Sequence, residues 1–156
     1  MRKVILWLMV LFFAFFFAGH LFELIALIPN WQSGEIAEVA RYRDFLSKSG
    51  PGNYFSLTQG GTLLFSLIGL ISVWKQGGQA KIAAAITLLV VIGVGFYTYF
   101  VFLPTNQYIG NTEYDAVLLK SLVTKWVTNE PFRFLAIGIG LAASIWCFEA
   151  SRRKTE

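Results

Sequence analysis

The chain has 156 residues, of which 56% are hydrophobic and 14% are charged, with a formal net charge of +4. A soluble domain of this length could not bury that much apolar surface. The basic residues lie in short segments beside long apolar runs, which indicates membrane topology and argues against a nucleic-acid partner. The single cysteine, Cys147, excludes an intrachain disulfide. We therefore expect one all-α integral membrane domain that contacts membrane lipids.

Four apolar runs approach the roughly 20 residues that a spanning helix needs. The first follows Arg2 and Lys3, and it continues too far for a signal-peptide core, so we interpret it as an uncleaved signal anchor. Pro29 closes the first run and Pro104 closes the third. The predicted four-helix transmembrane bundle has spans at about 4–28, 57–74, 82–103 and 132–148.

The two long connections, at about 29–56 and 104–131, each contain a stretch of helical periodicity. Apolar residues share one helix face around Val39 in the first connection and around Val123 in the second. We expect two short amphipathic helices that cap the outer end of the bundle. A turn cluster at 49–53, rich in glycine and proline, redirects the chain into the second span.

Lysine and arginine near the span ends predict the orientation. The outer side, which comprises the two long connections and Arg133 at the start of the fourth span, carries six basic and six acidic residues, so its charges cancel. The opposite side carries a basic excess and is therefore expected to be cytoplasmic, which predicts a multi-pass cell-membrane protein with both termini inside. Its basic residues are Arg2, Lys3, Lys75, Lys81, Arg152, Arg153 and Lys154.

The two halves of the chain align with an offset of 75 residues. Pro29 maps onto Pro104, and Glu38 maps onto Glu113. Each half contains a span, a proline at its exit, a long outer segment and a second span. The pattern suggests a duplicated helical hairpin with a parallel internal repeat, although any four-span protein shows a similar rhythm.

His20 and Glu23 are the two titratable groups well inside the first span, and a spacing of three places them on one helix face. Ionisable residues at this depth normally face the bundle interior or a wet cavity. One interpretation is a catalytic pair in which Glu23 orients the imidazole and His20 acts as a base. The other is a structural hydrogen-bonded pair in which Glu23 holds Arg133 of the fourth span.

Several polar and aromatic side chains should meet at the outer ends of the helices. Such a mixture suits a pocket for a flat, partly polar, lipid-soluble molecule, although an interfacial layer of caps and anchors would look the same. The candidate ligand-binding residues are Asn30, Trp31, Tyr97, Asn106, Trp126 and Asn129.

We expect no metal site and no cofactor. His-x-x-Glu at 20–23 resembles half of a carboxylate-bundle metal motif, but the chain has one histidine and its other acidic residues lie mostly in the outer segments. Phosphate-loop, nucleophile-elbow and Cys-pair motifs do not occur in the sequence.

The stretch Leu103-Pro104-Thr105-Asn106, followed by a polar helix that reaches Trp126 and then by Arg133, resembles the anthrone-oxygenase-like family of small four-span membrane proteins. The resemblance covers the C-terminal third and is looser in the first half. Asn129 follows Trp126 by three residues, where the family usually has Asn or His after four. The resemblance implies a cofactor-independent oxygenase. Our enzyme hypothesis is that His20, oriented by Glu23, deprotonates an activated aromatic C–H or O–H, and that Arg133 with Asn106 stabilises the resulting oxyanion.

The alternative function is a non-catalytic scaffold or assembly subunit that binds another membrane protein. It would use the outer amphipathic helices and the small residues Ala136, Gly140 and Ser144 as docking faces. Transport is a less favoured function, because only one predicted span carries buried charge and no span is obviously broken at mid-membrane.

Overall fold

The computed structural model describes residues 1–48 and 50–153. Within these residues, four helical stretches are long and apolar enough to cross a membrane: Arg2–Asn30, Gly52–Gln76, Gly78–Ile109 and Ala116–Arg152. The predicted all-α, four-span membrane bundle is therefore confirmed, and each stretch extends beyond the predicted span. The α-helices are α1 (Arg2–Phe22), α2 (Ile36–Phe45), α3 (Gly52–Val73), α4 (Gly78–Tyr97), α5 (Leu103–Ile109) and α6 (Ala116–Arg152).

The four long helices form a ring in which α1 and α4 each pack against both α3 and α6. At one end, a core that includes Leu6, Val73 and Cys147 joins the two chain termini to the α3–α4 turn. At the other end, a second core that includes Trp31, Val39 and Trp126 joins α2 to the long helices. We call this second end the lid end, and we call its outer surface, formed by α2 and the beginning of α6, the lid. Both described ends of the chain thus lie at the end of the bundle opposite the lid.

Each of the four long helices buries a stripe with a spacing of three and four residues, and the stripes of α1 and α6 contain charged residues. In α1 and the turn after it, the stripe begins at Leu6 and ends at His20 and Glu23. In α6 it begins at Leu119, passes through Trp126, and continues to Ser151. Such a stripe faces the interior of a helical bundle, so polar residues within it must find partners inside the protein.

Single π-helical turns interrupt the first and third spans at Glu23–Leu27 and Thr98–Phe102. These turns lie 75 residues apart at both of their ends, which is the same offset that relates Pro29 to Pro104. The extra residue of the first π turn makes the buried stripe continue at Ile28, five residues after Glu23. The matched turns support the duplicated hairpin that the sequence suggested.

The two outer segments differ from each other. The first contains a separate short helix, α2, as expected. The prediction of a separate second amphipathic helix was wrong, because the stretch from Leu119 to Trp126 is the beginning of α6, which runs through Pro131 without a break. One buried stripe spans the whole helix, and the packing of that stripe keeps it continuous despite the proline. Ser49 of the predicted turn cluster and Lys154 of the basic cluster lie outside the described residues.

Candidate functional site

Four charged or titratable side chains meet inside the bundle near the lid end, and we call them the charged cluster: His20, Glu23, Glu130 and Arg133. Arg133 Nε donates to Glu130 Oε2 over 2.7 Å, and Arg133 Nη2 lies 2.5 Å from the same oxygen. Arg133 Nη2 also donates to Glu23 Oε2 over 3.2 Å. One guanidinium therefore joins a carboxylate of its own helix to a carboxylate at the end of α1.

His20 is oriented by the same carboxylates. Its Nδ1 lies 3.2 Å from Glu130 Oε1 and 3.4 Å from Glu23 Oε2. An ionised carboxylate only accepts hydrogen bonds, so these contacts favour the tautomer with the hydrogen on Nδ1 and the lone pair on Nε2. The imidazole stacks on Phe55 with ring centroids 4.5 Å apart and meets the edge of Phe16. The two carboxylates and the two aromatic rings therefore fix the orientation of the imidazole.

The charged cluster is almost completely enclosed. Glu130 has no exposed surface, and Glu23, the most exposed member, retains 7%. With a neutral imidazole, two carboxylates and one guanidinium give the cluster a net charge of −1, and one added proton brings it to zero. In a medium of low dielectric constant, a buried charge without a countercharge costs much free energy. The net charge of the cluster therefore strongly affects its stability.

Glu130 was not predicted as a site residue, because its position before Pro131 places it among the six acidic residues of the outer side. A signal was present, because Glu130 lies four residues after Trp126 and three before Arg133. This spacing continues the buried stripe of α6. The predicted partnership of Glu23 with Arg133 is observed, and it forms together with the His20 contacts rather than in place of them.

Aromatic side chains cover the charged cluster on the lid side. The Arg133 guanidinium carbon lies 3.7 Å from the ring centroid of Phe102 and 5.2 Å from that of Trp126. Trp126 in turn meets Trp31 edge to face at 5.0 Å. These cation–π contacts stabilise the guanidinium and shield it from water on the lid side.

Tyr42 of α2 extends this aromatic layer by stacking on Trp31, with ring centroids 5.5 Å apart. Burial, followed by the negative charge of Glu23, raises the pKa of Tyr42 to about 12, whereas the neighbouring Trp31 side chain acts in the opposite direction. Tyr42 therefore remains a neutral phenol at physiological pH.

A cavity of about 350 Å³ is lined by side chains of both the aromatic layer and the charged cluster. The Trp31 indole N–H is buried beside it and makes no hydrogen bond of good geometry among the described residues, although it lies near enough to the Tyr42 hydroxyl to act on the pKa of that group. A buried unpaired donor is costly unless a ligand or water accepts from it. Of the predicted site residues, the cavity wall contains His20, Glu23, Trp31, Asn106, Trp126 and Arg133.

The other predicted ligand-binding residues lie outside the cavity wall. Asn30 donates to the carbonyls of Ala26 and Leu27 and so closes the end of its own helix. The Tyr97 hydroxyl donates to Asn129 Oδ1 over 2.5 Å, which links α4 to α6. Within the wall, Asn106 has a positioning contact, because its Oδ1 accepts from the Trp126 indole N–H over 3.0 Å.

Three members of the charged cluster have the geometry to hold a metal ion, since one ligand atom from each of His20, Glu23 and Glu130 lies within 4.8 Å of the others. The distances of 3.2 and 3.4 Å from His20 Nδ1 are close to the separation of about 3.4 Å between two ligands of one tetrahedral ion. Arg133, however, already supplies a positive charge to both carboxylates. The expected absence of a metal stays a prediction.

Comparisons with known proteins identify no relative. No family model matches the chain, and neither the curated proteins nor the solved structures contain a significant match to it. The resemblance to the anthrone-oxygenase-like family therefore rests on the short motifs around Pro104, Trp126 and Arg133.

Proposed function

We propose that the protein binds a small, lipid-soluble aromatic molecule in the lid-end cavity and removes a proton from it. The observation that carries this proposal is the buried histidine whose Nδ1 is held by Glu130 and Glu23 while its Nε2 makes no hydrogen bond within the described residues. A carboxylate that orients one imidazole nitrogen leaves the other available as a general base. The aromatic wall and the unpaired Trp31 N–H suit a flat molecule with a hydrogen-bond acceptor.

Charge balance supports proton transfer as the chemistry. When a neutral ligand gives a proton to His20, one negative charge moves from the charged cluster to the ligand. The total charge of the charged cluster and its ligand does not change, so the low-dielectric surroundings impose little penalty. Arg133, whose Nη1 makes no hydrogen bond among the described residues, is available to stabilise the ligand anion.

The resemblance to the anthrone-oxygenase-like family suggests an oxidation after proton removal. A carbanion formed from an activated methylene group combines with molecular oxygen and takes up a proton to give a hydroperoxide. Loss of water then gives a ketone, so that R₂CH₂ and O₂ become R₂C=O and H₂O. In this scheme oxygen is the oxidant, and the protein contributes the base, the anion-stabilising guanidinium and a dry pocket.

Deuterium exchange separates proton removal from the oxygen step. Anthrone, which has an acidic methylene group, is incubated without oxygen in D₂O with the protein in lipid nanodiscs, and loss of its methylene proton signal is followed by NMR. We expect faster exchange than in protein-free nanodiscs and a decrease of at least about 100-fold in the catalysed rate for His20→Gln, since general-base catalysis contributes about 10²–10⁴.

Asn30→Ala is the matched control, because Asn30 is a polar residue of the lid end that lies outside the cavity wall. It should exchange at the wild-type rate. Wild-type exchange no faster than in protein-free nanodiscs, or an undiminished rate in folded His20→Gln, would contradict the proposal. Admission of oxygen then tests for conversion of the methylene group to a ketone.

A second candidate function is docking of another membrane protein on the lid. It is favoured by exposed apolar side chains there, namely Phe45 of α2 at 76% and Val117 of α6 at 82% exposure. Purification in mild detergent distinguishes the two functions. A stoichiometric membrane-protein partner that is lost in Phe45→Ser/Val117→Ser supports docking, whereas an aromatic molecule retained on a solitary chain supports the cavity.

A further inference from the structure

A groove runs along the lipid-facing surface between α3 and α4, at the depth of the outer half of the first span. Its volume is about 440 Å³. The groove is lined by exposed apolar side chains that include Leu63 and Phe96, and Gly95 lies at its floor. In a bilayer, lipid acyl chains and the molecules dissolved among them occupy this groove. A membrane-dissolved molecule therefore reaches it without crossing water.

One side chain lies in the walls of both this groove and the cavity above the charged cluster. Gln59 of α3 borders the two spaces. A Cβ atom added to Gly95 would lie 3.0 Å from Gln59 Nε2, so the amide rests against the bare backbone of α4. The Gln59 side chain makes no hydrogen bond among the described residues. Because no bond fixes it, rotation of this side chain costs little.

The neighbouring gap between α1 and α3 is closed differently. The Tyr54 ring occupies the space that a side chain at Gly19 would need. Its hydroxyl donates to the carbonyl of Phe15 over 2.5 Å, which fixes the ring against α1. On the lid side, the contact between Trp31 and Trp126 covers part of the cavity, whose wall also includes the exposed residues Gly52 and Ser56 at the start of α3. Of these three boundaries, the one formed by Gln59 lacks a hydrogen bond or an aromatic contact.

We propose that the aromatic ligand enters the cavity sideways from the membrane, through the gap between α3 and α4, with Gln59 as the gate. This inference rests on the proposed ligand-binding function and adds the route and the ligand's source. The ligand is an uncharged, planar aromatic molecule dissolved in the leaflet on the lid side. A charged or strongly hydrated molecule is excluded, because the groove offers it no compensating polar surface.

Tryptophan fluorescence can follow entry, because Trp31 and Trp126 border the cavity and are 2% and 1% exposed. The starting protein carries Trp7→Phe, Trp74→Phe and Trp146→Phe, which removes the three lipid-exposed indoles. Nitrobenzene, a small membrane-soluble quencher, is mixed with this protein in nanodiscs by stopped flow. Saturable quenching reports binding in the cavity, and its rate reports entry.

Gly95→Leu should fill the groove floor and press against Gln59, whereas Gly93→Leu is the matched control because a Cβ at Gly93 meets no atom within 4 Å. We expect Gly95→Leu to slow entry at least tenfold with unchanged final quenching. Gly93→Leu should match the starting protein, and Gln59→Ala should accelerate entry.

Equal rates in Gly95→Leu and the starting protein would overturn the lateral route. Absence of saturable quenching in the starting protein would instead overturn the ligand-binding function. Unfolding temperatures verify that each variant is folded.

Discussion

Arg133 is the single cation between two carboxylates that have almost no access to water. Removing one partner from such a group leaves uncompensated buried charge, which costs more than the ion pair itself contributes. The cation therefore has a structural role in addition to its proposed interaction with a ligand anion. The two roles can be separated by changing the charge of its partners.

Arg133→Met is expected to lower the free energy of unfolding by about 3–5 kcal/mol, because it leaves Glu23 and Glu130 without a countercharge. The double variant Arg133→Met/Glu130→Gln should recover part of this loss, since it removes one of the two negative charges. Denaturant unfolding in mild detergent measures both. Additive losses in the double variant would show that the carboxylates do not depend on Arg133 for their charge balance.

Tyr42 gives a prediction about pH. Its pKa is raised to about 12 in the folded protein, mainly by burial, so ionisation is harder there than in the unfolded chain with its ordinary value of about 10. The folded state then holds more protons than the unfolded state above pH 10, and stability falls as the pH rises toward 12. Below pH 10 Tyr42 has no such effect.

Tyr42→Phe should therefore show a smaller decrease in unfolding temperature between about pH 10 and 12 than the wild type. Other tyrosines and lysines titrate in the same range, and the difference between the two proteins isolates Tyr42. Parallel curves for the two proteins throughout that range would contradict the assigned burial of the phenol.

At the scale of elements, the π turns determine which residues face the cavity. The turn Glu23–Leu27 spaces the successive buried positions Glu23 and Ile28 five residues apart, and so keeps both the charged cluster and the second core on the inside. Without the extra residue, everything beyond the turn would rotate by about 100° relative to α1, because an α-helix has 3.6 residues per turn.

Deletion of Ile25 tests this function of the first π turn. Ile25 is 67% exposed, so the deletion removes little packing of its own. We expect it to restore an α-helical turn, to displace Trp31 from Trp126, and to lower the unfolding temperature well below that of the wild type. Ile25→Ala, which changes the same side chain without changing the register, should remain close to the wild type. Similar stabilities for the deletion and the substitution would contradict the role of the turn.

The elements differ in how well the sequence predicted them, and the reason is physical. Apolar runs long enough to span a bilayer identified all four membrane helices, because lipid imposes that length directly. The π turns could not be predicted, since the mostly apolar sequences Glu-Leu-Ile-Ala-Leu and Thr-Tyr-Phe-Val-Phe do not show which face of the helix is buried. The polar residues before Pro131 concealed the continuity of α6, and with it the role of Glu130. His20, Glu23 and Arg133 could be recognised because ionisable groups within apolar spans require an interior location.

At the scale of the whole molecule, the structure places the described chain ends opposite the lid, and the distribution of basic residues predicts that this end is cytoplasmic. Cysteine labelling on intact cells with a membrane-impermeant maleimide tests the orientation in a Cys147→Ala background, because the native thiol is buried. We expect Glu113→Cys to react and Lys75→Cys and Arg153→Cys to react only after the membrane is opened. Reaction of either basic-side cysteine on intact cells would contradict this orientation.

The proposed base can be observed directly by nitrogen NMR of the protein in nanodiscs with ¹⁵N-labelled histidine, because His20 is the sole histidine of the chain. For the neutral imidazole, we predict a proton on Nδ1, a bare Nε2, and an Nε2 resonance that moves when anthrone is added without oxygen. Glu130→Ala should shift the population toward the Nε2–H tautomer. A wild-type ring with its proton on Nε2, or an Nε2 resonance unaffected by saturating anthrone, would contradict the claim that the charged cluster holds His20 as a base facing a ligand cavity.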